Sequence, residues 1–291
     1  MFYLYKKLTQ WLRGKNLGRL PGVRALHKFL FRILRPRRET LINVQDFKMF
    51  VDPSDKGVAQ YLMIYGVFGE YETETARNLI KQGMTVADVG ANIGYFTIIF
   101  SRLVGPSGKV YAFEPDPRNY ELLCKNIRLN NLSNVILIPQ ALSDKKGKIK
   151  LFLDKSNLGN MSLAAANISD AAGSTEVEAA VMDDYFGDKK IDFIKIDVQG
   201  AEGLALAGAQ NILKNGNPKI LMEFWPFGLK NLGTEPRNFL DNLKRLGFQF
   251  SILNVQKKIL KSAEPEEIMK VADNRPDGKG AANLLLEKQT P

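Results

Sequence analysis

Histidine and cysteine are almost missing from this sequence, which has one of each, His27 and Cys124, in 291 residues. A lone cysteine forms no internal disulfide, and a lone histidine leaves a His-dependent triad or a His-rich metal site with nothing to be built from. No P-loop pattern occurs. No stretch approaches the roughly 18 uninterrupted apolar residues of a membrane-spanning helix, and the N-terminus lacks the continuous apolar run of a cleavable signal peptide. The expectation is a soluble protein of the reducing cytoplasm.

A further absence is local. Residues 1–38 contain no Asp or Glu, but four Lys and seven Arg. Those eleven charges exceed the net charge of +10, so residues 39–291 carry 30 basic and 31 acidic side chains. The basicity belongs to an arm, and a near-neutral body gives no hint of a nucleic-acid groove. Within the arm, Met1, Leu4, Tyr5, Leu8, Trp11 and Leu12 recur at helical spacing. Val23, Leu26, Leu30, Ile33 and Leu34 do so again beside Arg24, Lys28, Arg32 and Arg35. Two short amphipathic helices are predicted, separated by Gly14, Gly18, Pro21 and Gly22, with Pro36 ending the second. Their composition is that of helices lying on an anionic membrane surface, which would put the protein at the inner face of the membrane. Packing on the body or on a partner subunit is the alternative use, and nucleic-acid binding by the arm a third. The chain divides on this reading into an arm, 1–38, and a catalytic domain, 39–291.

Beyond residue 80 short β-branched runs alternate with helical stretches, the pattern of parallel βαβ units. Strands are predicted at 85–89, 110–114, 135–139, 191–197, 219–224, 248–253 and 283–286. The fold class is α/β, a doubly wound, Rossmann-like, mostly parallel sheet. In the helix expected over 116–129, Asp116 caps, Pro117 takes the first helical position, and Tyr120, Leu123, Cys124 and Ile127 form an apolar stripe that puts Cys124 in the core. That placement, far in sequence from the fourth and fifth strand ends, argues against a cysteine nucleophile. Between the third and fourth strands, 148–153 and 176–181 alternate like antiparallel strands around a long loop, 156–175, rich in Ala, Ser, Asn and Gly.

The chemistry concentrates at strand ends. Residues 86–96, VADVGANIGYF, read as strand, glycine turn and helix start, where a small ligand meets free amide donors. Dinucleotide binding needs G-x-G-x-x-G, but this turn has only Gly90 and Gly94. Asp88 at the strand end would repel pyrophosphate and suits a ligand bearing an ammonium and a sulfonium, which points to S-adenosylmethionine. Glu114 emerges at the end of the second strand, where a carboxylate accepts from both hydroxyls of a ribose, in NAD as well as in S-adenosylmethionine. On the fourth strand Lys195 and Asp197 point to the same side by the period of two. They suit deprotonation and orientation of an attacking hydroxyl, or else form a buried ion pair. Glu223 ends the fifth strand facing the same crevice, with Trp225 and Phe227 following as lining or as core.

At these residues the chain resembles the FkbM family of methyltransferases, a branch of the class I methyltransferase fold. The resemblance rests on VADVGANIGY at 86–95, FEPD at 113–116, IDFIKIDVQGAE at 191–202 and LMEF at 221–224, with weaker echoes at 66–72, 157–162 and 283–286. It covers the chain from about residue 40 onward. It implies a seven-stranded sheet with the last strand antiparallel, S-adenosylmethionine as methyl donor, and a hydroxyl acceptor on a glycan, a lipid-linked sugar or a natural product. By motif it implies that Asp88, Gly90, Asn92, Gly94 and Glu114 contact the cofactor. Glu72 and the stretch Gln140, Ala141 and Leu142 would add contacts near the methionine and adenine ends. Asp197 and Glu223 would lie by the methyl group. Gln199 departs from the pattern, giving VQG where many relatives carry VEG. An RNA ribose methyltransferase is the second enzyme reading and should show a basic body; a catalytically silent scaffold of the same fold is the third.

Overall fold

The computed structural model describes residues 1–12 and 22–288. The chain falls into two compact units: residues 1–68 with 156–159, and residues 69–155 with 160–291.

The first unit holds both arm helices, α1 (Phe2–Leu12) and α2 (Val23–Leu34), as their spacing predicts. The breakers Gly14, Gly18 and Pro21 lie outside the described residues. Tyr5 and Phe31 turn inward, their ring centroids 6.5 Å apart, and the Tyr5 hydroxyl donates to the His27 carbonyl. A hairpin, β1 (Thr40–Val44) and β2 (Phe47–Val51), and helix α3 (Val58–Tyr65) complete the unit. Asp55 fixes the start of α3: its buried carboxylate accepts from the amides of Gly57 and Ala59, and also from Leu158 of the returning segment.

The second unit begins with α4 (Glu70–Leu79) and then alternates as predicted: β3 (Thr85–Val89), α5 (Tyr95–Val104), β4 (Lys109–Phe113), α6 (Pro117–Leu129) and β5 (Val135–Ile138). Three strands interrupt the winding: β6 (Gln140–Leu142), β7 (Gly147–Asp154) and β8 (Ala171–Ala180), which form a separate small sheet. After α7 (Met182–Phe186) the winding resumes with β9 (Phe193–Ile196), α8 (Glu202–Ala207), α9 (Gln210–Asn215) and β10 (Lys219–Phe224). Helices α10 (Pro226–Asn231) and α11 (Pro236–Arg245), strands β11 (Phe248–Asn254) and β12 (Ile259–Ala263), α12 (Pro265–Ala272) and β13 (Ala282–Lys288) close the unit.

The main sheet runs β12-β11-β13-β10-β9-β3-β4-β5. The neighbours from β5 through β10 are parallel, while β13 is antiparallel to both β10 and β11. All seven expected strands are present, and an eighth, β12, folds back on β11 to extend the edge. Its sequence, ILKSA, leaves Ile259 and Leu260 exposed, so no buried periodicity announced it. The winding moves one way through β3, β4 and β5 and the other way through β9 and β10. The carboxyl ends of β3 and β9 therefore form the switch point, where open α/β sheets take their ligands.

Two expectations need correction. The loop 156–175 is shorter than its composition suggests, because Ala171–Thr175 pairs with the far end of β7, across a bulge between Phe152 and Asp154. Pairing overrides the weak strand propensity of Ala and Gly there. Cys124 is half-buried: the inward stripe of α6 is Asn119, Leu122, Leu123, Asn126 and Ile127. Two asparagines on that face bond to neighbouring backbone or side chains, which an apolar count cannot see. Asp116 caps α6 as predicted, accepting from the amides of Arg118 and Asn119 at 3.0 Å each. Asp116→Ala is expected to lower the unfolding free energy by about 1–2 kcal/mol in urea denaturation; an unchanged midpoint would mean that Pro117 alone sets the helix start.

Candidate active site

Strand register assembles the site. Asp88 on β3 lies beside Lys195 on β9, and Lys195 beside Leu221 on β10. Counting by two along each strand, Asp88, Lys195, Asp197 and Glu223 share one face near the carboxyl edge, and Asn283 of β13 is the cross-strand partner of Glu223. The face is covered by α5 and α4, whose Phe96 and Glu72 meet these side chains.

At the β3 turn Asp88 is fully buried. The Thr97 hydroxyl donates to its Oδ2 at 2.6 Å, and its Oδ1 has no hydrogen-bond partner. Gly90 adopts φ +82°, and a Cβ there would fall 2.0 Å from the Asp197 carbonyl oxygen, so only glycine lets the exits of β3 and β9 touch. Asn92 follows at φ +52°, and its amide donates to Glu114 Oε2 at 2.7 Å. Glu114 also accepts from the Asp116 amide at 2.9 Å. Its carboxylate is buried, and burial, only partly offset by those amides, pushes its pKa up to about 7. Gly94 faces Leu123 of α6, where a Cβ would come within 2.7 Å.

Across the switch point, Lys195 is buried with its Nζ 4.7 Å from the Phe96 ring centroid and 3.6 Å from Asp197 Oδ2. Gln199 is the residue that sequence reading undervalued. Its side-chain amide donates to Asp197 Oδ1 at 2.8 Å and to Glu223 Oε2 at 3.1 Å, bridging the two carboxyl groups. The backbone there is left-handed, φ +51°, and its carbonyl accepts from Ser162 Oγ and Asn167 Nδ2. Glu202, buried at the start of α8, accepts from the amides of Val198 and Gly200 and holds the same loop from below. Burial pushes Glu202 up to about 7. It pushes Glu223 up to about 8, reinforced by the charges of Asp197 and Glu202 and opposed by Lys195.

Glu72 completes the cluster. Asn283 Nδ2 donates to its Oε1, its buried Oε2 has no hydrogen-bond partner, and burial raises its pKa. In the sequence Asn283 belongs only to the weak echo at 283–286, as the polar residue before Leu284, Leu285 and Leu286. Gln140, Ala141 and Leu142 form β6 of the small sheet. The Ala141 and Leu142 side chains are buried, Leu142 in the main core, so only Gln140 presents a partly exposed side chain. A cleft of about 300 Å³ opens over Gln199 and Glu223, walled by Trp225 and Phe227 and by Arg275 and Lys279. The two aromatic residues thus line the cleft.

The model of the Methyltransferase FkbM domain matches residues 88–250, more than half of the chain. The chain belongs to the FkbM methyltransferase family. It is 28% identical over 177 residues to Methyltransferase sdnD of Sordaria araneosa, covering 50% of this chain and 68% of that protein. Methyltransferase 1 of Beauveria bassiana is 27% identical over 143 residues, covering 42% and 57%. The 2-O-methyltransferase NoeI of Sinorhizobium fredii is 28% identical over 151 residues, covering 46% and 61%. The chain thus spans between 57% and 68% of the length of these relatives. The crystal structure of Methyltransferase FkbM from Methylobacillus flagellatus is similar at a TM-score of 0.43 and 15% identity, over 78% of this chain and 52% of that one. As a member of this family the protein is an enzyme that uses S-adenosylmethionine.

Two buried carboxyls, Glu114 and Glu202, pushed up to about 7, and the half-buried Glu223, pushed up to about 8, against an ordinary value of 4.5, fix the sign of the pH dependence. A raised carboxyl binds more protons folded than unfolded between the two values, so stability is full below the unfolded pKa and is lost as pH rises through the folded one. The thermal midpoint is expected to fall from about pH 5 to about pH 8, with Glu223→Gln flattening the upper part of that slope. A midpoint that holds steady or rises over this range would contradict the burial of these groups.

Proposed function

We propose that the protein transfers the methyl group to a hydroxyl oxygen of an acceptor in the cytoplasm, the acceptor being a glycan, a lipid-linked sugar or a small natural product. The observation that carries this reading is Gln199, which lines the aromatic-walled cleft together with Glu223 and bridges Glu223 to Asp197, itself paired with Lys195. The 2-O-methyltransferase activity in the name of the NoeI relative is in keeping with it.

When bound, S-adenosylmethionine supplies a methyl group on a cationic sulfur. The residues at the turn fit that donor, because the hydrogen-bond-deficient oxygens Asp88 Oδ1 and Glu72 Oε2 are buried acceptors with no donor of their own, which an ammonium would supply. Gly90, Asn92 and Gly94 shape the backbone there. Glu114 keeps a second lone pair on each oxygen for ribose hydroxyls, and Gln140 offers its amide further along the same edge. Asp197 is the base: it would accept the proton of the acceptor hydroxyl as that oxygen takes the methyl group the donor would supply. Lys195, 3.6 Å away, holds Asp197 in place. Glu223, protonated at neutral pH with its pKa near 8, donates a hydrogen bond to the acceptor and so fixes its direction of approach.

The roles separate experimentally. Asp88→Asn should weaken S-adenosylhomocysteine binding by about 10- to 100-fold in calorimetry, the worth of a hydrogen bond to a charged group. Asp197→Asn should instead leave that affinity within about threefold and lower single-turnover methyl transfer by roughly 10²- to 10⁴-fold. Incubation with methyl-labelled donor and the glycan fraction of the host should yield label that survives mild base, as an ether does and an ester does not. Wild-type turnover in Asp197→Asn would remove the base from the mechanism, and base-labile label would redirect the reading to a carboxyl acceptor.

A further inference from the structure

Helices α1 and α2 each have an inner and an outer apolar face. Tyr5 and Thr9 of α1 and Phe31 of α2 are buried. On the other side of α1, Leu4, Leu8 and Trp11 follow the i, i+4, i+7 spacing of one helical stripe, and on α2 Leu26, Phe29 and Ile33 follow i, i+3, i+7. These six side chains are between 51% and 70% exposed. With Met1 and Tyr3 they make the arm the site of eight of the fourteen large apolar side chains most exposed among the described residues. Soluble proteins seldom leave such stripes facing water, and clustered ones mark a binding surface.

The charges bordering the stripes choose the partner. Lys7 flanks the α1 stripe, and Lys28 and Arg32 flank the α2 stripe, all three exposed. Arg37 and Arg38 follow, also exposed, and the whole of residues 1–38 contains no acid to offset them. A protein surface that buried the stripes would leave this positive rim without a matching layer of anions, whereas nucleic acid would pair with the charges and leave Leu8, Phe29 and Ile33 in water. An anionic bilayer satisfies both, taking apolar side chains into the acyl boundary and cations at the headgroups. Among the described residues no helix is long and apolar enough to cross a membrane, so contact would be with one leaflet only.

We propose that the outer stripes of α1 and α2, with their rim of Lys and Arg, dock the protein reversibly on an anionic lipid surface. The proposal stands apart from the methyl-transfer reading, since none of these residues belongs to the candidate active site. The test uses the full chain and two variants, Leu8→Ser with Phe29→Ser and Ile33→Ser, and Lys28→Glu with Arg32→Glu. All the replaced side chains are exposed, so circular dichroism and S-adenosylhomocysteine binding should match the unaltered chain. In co-sedimentation, vesicles of phosphatidylcholine with phosphatidylglycerol should bind the protein at least about tenfold more tightly than pure phosphatidylcholine, and salt should weaken the binding. Each variant should lose about tenfold or more. Trp11 emission, read as the difference from Trp11→Phe, should shift to the blue on the anionic vesicles. Equal or absent binding to the two vesicle types at low salt would overturn the proposal. So would full binding by the serine variant, preference for RNA in competition, or light scattering that shows a dimer which only the serine variant disrupts.

Discussion

A single buried ammonium organises the crevice. Lys195 interacts electrostatically with Glu72, Asp88 and Glu223 and contacts Asp197, so one positive charge stands among four carboxyl groups. Charges removed from water persist only when paired, and one cation cannot pair with four anions. Burial raises the pKa values of Glu72, Asp88 and Glu223, and the Lys195 charge opposes that rise in all three. A crevice built this way is short of positive charge. A cationic ligand entering it gains what the protein lacks, and the same shortage would repel a pyrophosphate.

Backbone proximity puts those charges where they are. Because Gly90 has no side chain, the turn after β3 lies against the Asp197 carbonyl, and the Asp197 amide donates to the Val89 carbonyl at 3.1 Å. Any larger residue would separate the two strand exits and draw Asp88 away from Lys195. On the other side of Asp197, Ser162, Asn167 and Glu202 together restrain the backbone at 198–200, and that restraint is what holds a glutamine in a left-handed conformation. The Gln199 amide is thereby aimed at the Asp197 and Glu223 carboxyl groups at once. A glutamate at that position would add a third acid and remove the donor that bridges Asp197 and Glu223.

The sequence carried the parallel core of the fold because its signals are local: β-branched runs, a glycine turn, a capping Asp before a Pro. It carried Asp88, Lys195, Asp197 and Glu223 because a period of two and strand polarity suffice to place a side chain at a carboxyl edge. What it hid depends on partners distant along the chain. The grip of Asn283 on Glu72 spans 211 residues, and the extension of β8 through Ala171–Thr175 is imposed by β7. Asn119 and Asn126 look like breaks in an apolar stripe until their bonds are seen. Asn126 donates to the Ile93 carbonyl in the glycine turn, so the polar residue on the buried face of α6 steadies that turn.

Hydrophobic periodicity has a similar blind spot in the arm. A stripe at helical spacing shows that a face avoids water and does not say what covers it. In α6 only Leu123 and Ile127 of the apolar spacing lie on the interior face. In α1 and α2 the residues that share that spacing divide between an interior side, with Tyr5 and Phe31, and a solvent side, with Leu8 and Phe29. The two kinds of stripe differ in their flanks, which in the arm are cationic with no compensating acid. A stripe bordered by mixed charges has its electrostatics settled within the protein, whereas one bordered by a single sign has a field that only an oppositely charged surface can satisfy.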